Sequence, residues 1–253
     1  MADRLTSDLD RRDFLTLGAL GAAASILAAW PGTAPAQGAG IAALKIATIG
    51  AGREGGALGT LFAKAGHKVM FSSRHPETLN ELVAAAGPTA EAGTVEQAVA
   101  FGDVVILVVP YTAVEQIGRD YGKALAAKAL VLDVSNPIAR RDGEDIVKWV
   151  AEQGGAGLAT AKLLPGARLV RAFNAIGSSS LANDAHRPGE KVGVPIAGED
   201  AKAIAIATDL IREIGFEPVL VGGLAMGKYL VPGTPLGGEH SAAEIRQIAA
   251  GLK

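Results

Sequence analysis

The stretch KIATIGAGREGGALGTLFAKAG, residues 45–66, constrains the fold more strongly than any other part of the chain. Residues 44–49 form an apolar run of the length of a buried strand, and glycines follow at once. Apolar residues then recur at helical spacing, and Gly66 fits the end of a helix. A buried strand that turns through glycines into an amphipathic helix predicts the first strand–helix unit of a parallel α/β sheet.

Strands and helices alternate along most of the remaining chain. The apolar runs predict further strands over 69–71, 89–92, 104–109, 130–134, 169–176, 194–197 and 219–221. The helical patterns predict helices over 76–86, from 94, over 111–126, over 200–214 and from 241. Residues 138–166 are polar and rich in glycine, and no element is predicted there. The fold class is therefore α/β, a doubly wound Rossmann-like parallel sheet with a small C-terminal helical portion. Its expected division is 44–165 for the nucleotide-binding domain and 166–253 for the part that completes the sheet and the acceptor site.

The glycines match the pattern GxGxxG in the context that gives this pattern its meaning. Gly50 permits the tight turn, Gly52 lets the backbone approach a pyrophosphate, and Gly55 lets helix and strand pack closely. The helix amino terminus adds unpaired N–H groups and a positive dipole for the phosphates. The alternative is a structural turn without a ligand, but the full strand–loop–helix context favours a dinucleotide site.

The end of the second strand, VMFSSRHPE, distinguishes between two nucleotides. An NAD site has Asp or Glu there to accept from the ribose 2′-OH. This chain has Ser73 and Arg74, which can donate to a 2′-phosphate, and no acid that would repel it. The cofactor predicted is NADP(H), and the alternative for Arg74 is a solvated surface charge.

The amino-terminal segment has the order basic, apolar, small-residue cleavage site. Arg11 and Arg12 precede Phe14, a mild apolar run follows over 15–30, and Ala34-Pro35-Ala36 ends the segment. Residues 1–36 are therefore predicted to be a twin-arginine signal that is read by the twin-arginine (Tat) export machinery and cleaved after Ala36. A periplasmic or secreted location follows from that prediction. A core helix or an uncleaved membrane anchor is the alternative.

The amino-acid composition limits the classes of partner and of site that the chain can have. Without residues 1–36 the chain has 21 basic and 22 acidic residues, which argues against nucleic acid and against a membrane surface after cleavage. There is no cysteine, so disulfides and thiolate chemistry are excluded. The four histidines lie far apart in the sequence, and no metal site is predicted.

Four stretches resemble the NADPH-dependent reductases of the 8-hydroxy-5-deazaflavin coenzyme F420, a Rossmann oxidoreductase family. These stretches are KIATIGAGREGGALGTLFAKAGHKVMFSSR, DVVILVVPYTAV, RAFNAIGSSSL and IAGEDAKAIAIATDLIREIGFEPVLVGGL, which lie within residues 44–224. Similar domains occur in membrane ferric reductases and in pyrroline-carboxylate reductases, so the resemblance does not identify the electron acceptor. It also implies that a homodimer is possible.

The resemblance implies roles for individual residues. Ala51, Arg53 and Glu54 would line the pyrophosphate loop, and Ser73 and Arg74 would hold the 2′-phosphate. Two further groups would lie at the ring end: Val109 and Pro110 beside the nicotinamide ribose, and Asn174, Ala175 and Ile176 near the nicotinamide and the second coenzyme. The chain departs from the family pattern in having Arg53 where Asn is common, and Thr78 where some relatives carry a basic residue.

The function expected is hydride transfer between NADPH and a deazaflavin (F420) or flavin acceptor, in which the protein positions the two rings. No catalytic residue is identified. Tyr111 and Asn174 are the best polar candidates near the ring, and a structural or positioning role is favoured for each over a chemical one. Met226, Tyr229 and Leu230 are interpreted either as an acceptor pocket or as core. Two other functions remain open: an exported NADP(H)-binding protein with a structural or sensory role, and a ferric or other reductase on the same fold.

Overall fold

A mostly parallel sheet of nine strands runs through the computed structural model, which describes residues 42–252. The predicted signal, residues 1–36, lies outside the described residues. The strands are β1 (Lys45–Ile49), β2 (Lys68–Ser72), β3 (Ala90–Gly93), β4 (Val104–Leu107), β5 (Leu130–Asp133), β6 (Leu169–Arg171), β7 (Val192–Gly198), β8 (Glu217–Gly222) and β9 (His240–Ser241). Their order across the sheet is β3-β2-β1-β4-β5-β6-β7-β8, and β9 pairs with β7.

Helices cover both faces of this sheet, as the Rossmann-like prediction requires. They are α1 (Arg53–Lys64), α2 (Asn80–Ala86), α3 (Val95–Phe101), α4 (Val114–Ala126), α5 (Ala139–Asp142), α6 (Glu144–Glu152), α7 (Ala156–Leu163), α8 (Ser178–Asp184), α9 (Ala201–Glu213) and α10 (Ala242–Ala250). Short 3-10 turns occupy Pro76–Leu79, Tyr111–Ala113 and Leu224–Tyr229.

The strand directions refine the predicted parallel sheet. All neighbouring pairs from β3 to β6 are parallel, but β7 is antiparallel to β6. β8 is parallel to β7 and β9 is antiparallel to it. The carboxyl-terminal strands β7 and β8 therefore continue the sheet in the opposite direction.

The central strands are apolar on both sides because each side faces a layer of helices. Ile46 of β1 belongs to one hydrophobic cluster, together with Phe62 of α1 and Leu210 of α9. Ala47 and Ile49 of the same strand belong to the second cluster, which includes residues of α3, α4 and α7. Alternate residues of one strand thus pack into two different cores, which explains the continuous apolar runs in the sequence.

Several parts of the chain differ from the sequence prediction, among them α8 and β9, where no element was predicted. Residues 138–166 contain α5, α6 and α7, although no element was predicted there. The strand predicted over 169–176 ends at Arg171, and residues 172–177 form an irregular turn. Phe173 lies in this turn with a φ of +60°, a left-handed conformation outside the β region.

Met226, Tyr229 and Leu230 belong to a third hydrophobic cluster, with Ile245 of α10. They do not line the cavity described below, so the core interpretation holds for them. Within residues 42–252, no helix combines the length and the apolar character needed to cross a membrane.

Candidate functional site

A cavity of about 460 Å³ opens at the carboxyl ends of β1, β4, β5 and β6. β1 lies between β2 and β4, so the chain leaves β1 to one side of the sheet and returns to its other side. Ligands of open α/β sheets bind at such a switch point, outside the carboxyl ends of the strands. The cavity wall consists of residues 52–55, 108–110, 134–136 and 173–177, with Ile138, Arg140, Arg141 and Pro232.

Two glycines of the first loop are required by the fold itself. Gly50 has a φ of +101°, and a Cβ there would overlap the Val108 carbonyl oxygen. A Cβ on Gly55 would overlap the carbonyl oxygen of Gly50. Both glycines therefore allow α1 to approach the ends of β1 and β4 closely, which is the role the sequence predicted for Gly55.

Gly52 differs, because within residues 42–252 no atom other than those of its chain neighbours lies within 4 Å of the Cβ that it could carry. It is exposed, it caps the amino end of α1, and its backbone φ of −72° is open to any residue. Packing therefore does not require glycine here. Open space beside the unpaired N–H groups of a helix start fits a pyrophosphate that approaches the backbone closely.

The three remaining loop residues are placed differently from one another. The N–H of Ala51 donates to the Ser72 carbonyl oxygen at 3.1 Å, so it ties the loop to β2 and faces no ligand. Arg53 is exposed at the first position of α1 and lines the cavity. Glu54 also lines the cavity, and its Oε1 accepts from the Ser178 N–H at 2.8 Å, which links α1 to the start of α8. Burial raises the pKa of Glu54, and its Oε2 is buried without a hydrogen-bond partner.

The end of β2 presents an unpaired cation. Ser72 points inward and donates to the Thr48 carbonyl oxygen at 2.7 Å. The Ser73 Oγ accepts from the His75 N–H at 3.0 Å, while Arg74 is exposed and, within residues 42–252, makes no hydrogen bond or ion pair. Ser73 and Arg74 follow the strand next to β1, outside the wall of the main cavity. This is the position of the ribose-binding residues in a dinucleotide site.

The loop after β4 forms the apolar side of the cavity through Val108, Val109 and Pro110. The N–H of Val109 donates to the Ser135 Oγ at 3.3 Å, which joins the ends of β4 and β5. Tyr111, a sequence candidate for a polar group near the ring, lies outside this wall. Its hydroxyl donates to the Ala156 carbonyl oxygen at 3.2 Å and lies 3.0 Å from the Thr160 Oγ1, and burial raises its pKa to about 12. These contacts agree with the structural interpretation of Tyr111, because its hydroxyl joins the β4 loop to α7.

The sequence reading missed a buried ion pair below the cavity floor. Asp133 ends β5, Arg171 ends β6, and the two residues are paired in the sheet register. Arg171 Nη1 lies 2.5 Å from Asp133 Oδ2, and both side chains are fully buried. An arginine inside the apolar run LVRAF was the signal available in the sequence, because a buried guanidinium needs a carboxylate partner.

The same guanidinium organises two asparagines in the wall. Arg171 Nη2 donates to Asn136 Oδ1 at 3.1 Å, and Asn136 Nδ2 donates to the Asn174 carbonyl oxygen at 2.5 Å. Asn174 Nδ2 in turn donates to the Asp133 carbonyl oxygen at 3.1 Å. The turn 172–177, which includes the candidate residues Asn174, Ala175 and Ile176, is thus tied to the end of β5.

Arginines on α5 form another part of the rim that was not predicted. Arg141 donates to both carboxylate oxygens of Asp142 and to the Asn136 carbonyl oxygen, the last at 2.6 Å. Burial acts to raise the pKa of Asp142, but hydrogen bonds from Arg141 and the Ile138 N–H outweigh it and lower the pKa. Arg140 is exposed and, in the described part of the chain, has no such partner.

Among residues 42–252, no group of three or more His, Asp or Glu side chains could hold a metal ion. The site consists of the glycine loop, the basic end of β2 and an apolar wall after β4, with the side chains of Asn136 and Asn174 nearby. These features suit a nucleotide and a flat organic acceptor.

Residues 45–137 match the model of the family described as NADP oxidoreductase, coenzyme F420-dependent. This match confirms the resemblance predicted from the sequence, and it covers β1 to β5 with the glycine loop and Arg74.

Solved structures share the same fold. A hypothetical protein from Sinorhizobium meliloti is 26% identical, with a TM-score of 0.63 over 78% of this chain and 93% of its own. A protein from Arthrobacter sp. FB24, provisionally described as an F420-dependent NADP reductase, is 19% identical, with a TM-score of 0.58 over 73% of this chain and 87% of its own. A pyrroline-5-carboxylate reductase from Coxiella burnetii is 16% identical, with a TM-score of 0.52 over 71% of this chain and 60% of its own.

The family match and this fold together support an NAD(P)-dependent oxidoreductase. Residues 45–137 are thus similar to the family described as NADP oxidoreductase, coenzyme F420-dependent, and the chain has the Rossmann-like fold that the sequence predicted.

Proposed function

We propose that this protein is an NADP(H)-dependent oxidoreductase that transfers a hydride between NADPH and a deazaflavin (F420) or flavin acceptor. The observation that carries the proposal is the end of β2, where Ser73 and Arg74 follow the strand in place of Asp or Glu and Arg74 has no hydrogen bond or ion pair within residues 42–252. A guanidinium can donate two parallel hydrogen bonds to a 2′-phosphate, whereas it offers a ribose hydroxyl much less.

The amino end of α1 would bind the pyrophosphate. The open space at Gly52 allows phosphate oxygens to reach the backbone N–H groups, and the exposed Arg53 adds a positive charge at the same point. Gly50, Ala51 and Gly55 act through the shape of the loop, because each is engaged with the protein itself.

The ring end lies between the β4 loop and the turn 172–177. Bound NADPH supplies the hydride there, while Val108, Val109, Pro110 and Ile176 provide an apolar wall that excludes water. Asn174 and Ala175 also line the cavity. Rings held face to face at close range need no acid or base from the protein for hydride transfer.

The acceptor class is proposed from the family description and from the extent of the cavity. The wall continues past the ring end to Ile138 and Arg140, so a second flat molecule has space beside the nicotinamide. Two alternative functions remain. One is a reductase that uses a ferric chelate as its acceptor, and the other is an exported protein that binds NADP(H) and is not an enzyme.

Steady-state NADPH oxidation with three acceptors tests the proposal: the deazaflavin coenzyme, a free flavin and a ferric chelate. We expect turnover with the deazaflavin or the flavin, and NADH to be a poor donor. The variant Arg74→Ala should weaken NADPH binding about 10- to 100-fold, the loss expected for a charge-assisted hydrogen bond, and leave NADH binding unchanged. Arg74→Lys should recover only part of the loss, because the ammonium cannot bind in a bidentate way.

Two results would reject parts of the proposal. Equal losses for NADPH and NADH in Arg74→Ala would remove the 2′-phosphate role. Tight NADPH binding without turnover on any of the acceptors would favour the binding protein over the enzyme.

A further inference from the structure

We propose that Arg140 binds an anionic group, a phosphate or a carboxylate, on the electron acceptor, and that the site therefore prefers charged acceptors to neutral ones. The inference rests on the proposed function, because it assigns a ligand to the part of the cavity beyond the nicotinamide. The family match ends at residue 137, so the role of Arg140 does not follow from that match.

Arg140 is a cation without a partner in the cavity wall. It is exposed, it lines the cavity, and within residues 42–252 it makes no hydrogen bond or ion pair. The neighbouring Arg141 differs, because Asp142 and the Asn136 carbonyl oxygen already occupy its guanidinium. Arg140 therefore keeps all of its donors for a ligand.

The short helix α5 holds the backbone of Arg140 in place. At its start, the Ile138 N–H donates to Asp142 Oδ2 at 2.8 Å, and at its end the Gly143 N–H donates to the Ala139 carbonyl oxygen at 2.9 Å. Asp142 is itself buried. The base of the Arg140 side chain is thus fixed at the rim, while its long side chain can adjust to a ligand.

The order of the strands separates Arg140 from the arginines proposed to bind the nucleotide. Arg74 follows β2 and Arg53 follows β1, whereas Arg140 follows β5. Because β4 lies between β1 and β5, the ends of β1 and β5 are two strand spacings apart, roughly 10 Å. The apolar loop after β4 therefore lies between Arg53 and Arg140, and a ring that packs on this loop has a cation on either side.

The nucleotide has no anionic group left for Arg140. In the proposed site the 2′-phosphate binds at Arg74, and the pyrophosphate binds at Gly52 and Arg53. The nicotinamide end, which lies against the loop after β4, carries no negative charge. An anion that reaches Arg140 must therefore belong to the second ligand.

The other charges of the cavity wall also favour an anionic acceptor. They are Arg53, Arg141 and Glu54, so the wall has three guanidinium groups and one carboxyl group. This excess of positive charge attracts anions to the cavity. A guanidinium binds a phosphate or a carboxylate through paired N–H donors, which a neutral hydroxyl cannot match.

Acceptors that differ only in charge provide the test. The phosphate pairs are riboflavin with flavin mononucleotide, and 8-hydroxy-5-deazariboflavin with its 5′-phosphate. The carboxylate pair is 10-carboxymethylflavin with its amide. Fluorescence titration of the full chain with saturating NADP⁺ measures each dissociation constant in the absence of turnover. We expect the charged member of the phosphate pairs, of the carboxylate pair or of both to bind about tenfold more tightly, and the pair that shows it identifies the anionic group.

The variants assign this preference to one side chain. Arg140→Ala should reduce the ratio of the two dissociation constants to about one and leave NADP⁺ binding unchanged. Arg140→Lys should keep part of the ratio, because an ammonium has the charge without the paired donors. In the wild type the ratio should fall as salt is added, since an exposed charge is screened.

Arg246→Ala is the matched control. Arg246 is an exposed arginine of α10 that also makes no hydrogen bond or ion pair within residues 42–252, and it lies outside the cavity wall. Its ratio should equal that of the wild type. Circular dichroism of all variants separates a changed site from a failure to fold.

A wild type that binds both members of every pair equally, or an Arg140→Ala variant that keeps the preference, would overturn the inference. Weaker NADP⁺ binding in Arg140→Ala would also overturn it, because Arg140 would then serve the nucleotide. NADPH oxidation is measured separately and tests the proposed function. A charge preference that depends on Arg140 without any turnover would support the anion site and reject the enzyme, whereas turnover without a charge preference would do the reverse.

Discussion

Glycine occupies positions 52 and 55 for different physical reasons. Substitution of each glycine tests these two reasons separately. Gly55→Ala places a methyl group against the Gly50 carbonyl oxygen, and we expect the free energy of unfolding to fall by about 1–3 kcal/mol, the usual cost of overpacking. Gly52→Ala meets no protein atom, so its stability should change by less than about 1 kcal/mol while NADPH binding weakens. Urea denaturation without nucleotide and NADPH titration measure the two effects.

The Gly52 result decides whether phosphate approaches this loop. A Gly52→Ala variant that binds NADPH as tightly as the wild type would show that the open space at Gly52 is not used by the nucleotide. A Gly55→Ala variant of unchanged stability would contradict the close approach of α1 to β1.

Glu54 makes the stability of the fold depend on pH in a direction that can be derived. Burial raises the folded-state pKa of Glu54 above its usual value of 4.5, so the folded protein binds this proton more tightly than the unfolded chain. The stability contributed by that proton is present below pH 4.5 and is lost as the pH rises through the raised pKa. Glu54→Gln keeps an acceptor for the Ser178 N–H and has no charge to desolvate.

The measurement is urea denaturation of the wild type and Glu54→Gln over a series of pH values. We expect the wild type to lose stability relative to the variant as the pH rises. Glu96→Gln, at an exposed position of α3, should show no such trend and serves as the control. A difference between wild type and Glu54→Gln that stays constant or reverses with pH would contradict the desolvation of Glu54.

At the scale of single elements, the capped helix α10 offers a simple test of how its local sequence stabilises the molecule. The Ser241 Oγ accepts from the Glu244 N–H at 3.3 Å, and the Glu244 carboxylate accepts from the Ser241 N–H at 2.7 Å. This capping box was predicted from the sequence. Ser241→Ala should lower the free energy of unfolding by about 1 kcal/mol, because one helix N–H group loses its acceptor.

Chemical denaturation of Ser241→Ala beside Ser179→Ala, a change at an exposed position within α8, measures this cost. Equal stabilities of the two variants would mean that the cap contributes nothing to the folded state.

The sequence predicted long elements better than short ones, for a physical reason. Periodicity needs a window of more than ten residues, and α4 and α9 each supply thirteen. In contrast, α5, α6 and α7 have four, nine and eight residues and are separated by glycines. Gly143, Gly154 and Gly155 all have positive φ, so they interrupt the helical backbone between α5, α6 and α7. The short helices between these glycines were not recognised because the sequence there is polar and rich in glycine.

The sequence predicted the parts of the candidate site whose residues are neighbours in the chain. It missed the contacts between residues that are far apart in the chain. The glycine loop and Arg74 follow single strands, so their neighbours in the sequence reveal them. Asp133 and Arg171 pair across two strands and are 38 residues apart in sequence. The contact of Tyr111 with Thr160 could not be predicted, because Thr160 lies in a helix that was not predicted.

On the scale of the whole molecule, the reversal of direction at β7 limits where a nucleotide can bind. Strands β1 to β6 point their carboxyl ends to the same edge of the sheet, and the cavity lies at that edge. The β7 and β8 strands present their amino ends at this edge. The switch point beside β1 is therefore the place where the glycine loop, the end of β2 with Arg74 and the apolar loop after β4 come close together.

A second proposal concerns the whole molecule: we propose that the protein is exported and that residues 1–36 direct this export. Twin-arginine cargo crosses the membrane folded, which suits a protein that must take up its nucleotide before export. The double variant Arg11→Lys/Arg12→Lys should lose export, because the address is read through the arginine pair. Fractionation of cells that express the tagged full chain measures it, and Arg4→Lys, an arginine outside the pair, is the control. Equal export of both variants would reject the signal.

Hydride transfer itself is the central claim, and isotope transfer tests it most directly. NADPH that carries deuterium at both C4 positions is mixed with the full chain and the oxidised deazaflavin, and the reduced deazaflavin is analysed by mass spectrometry. We predict one deuterium in each molecule of reduced deazaflavin, since C5 of that ring retains the hydride that it receives. Tight binding of the labelled NADPH with no deuterium in the deazaflavin would contradict direct transfer to this acceptor.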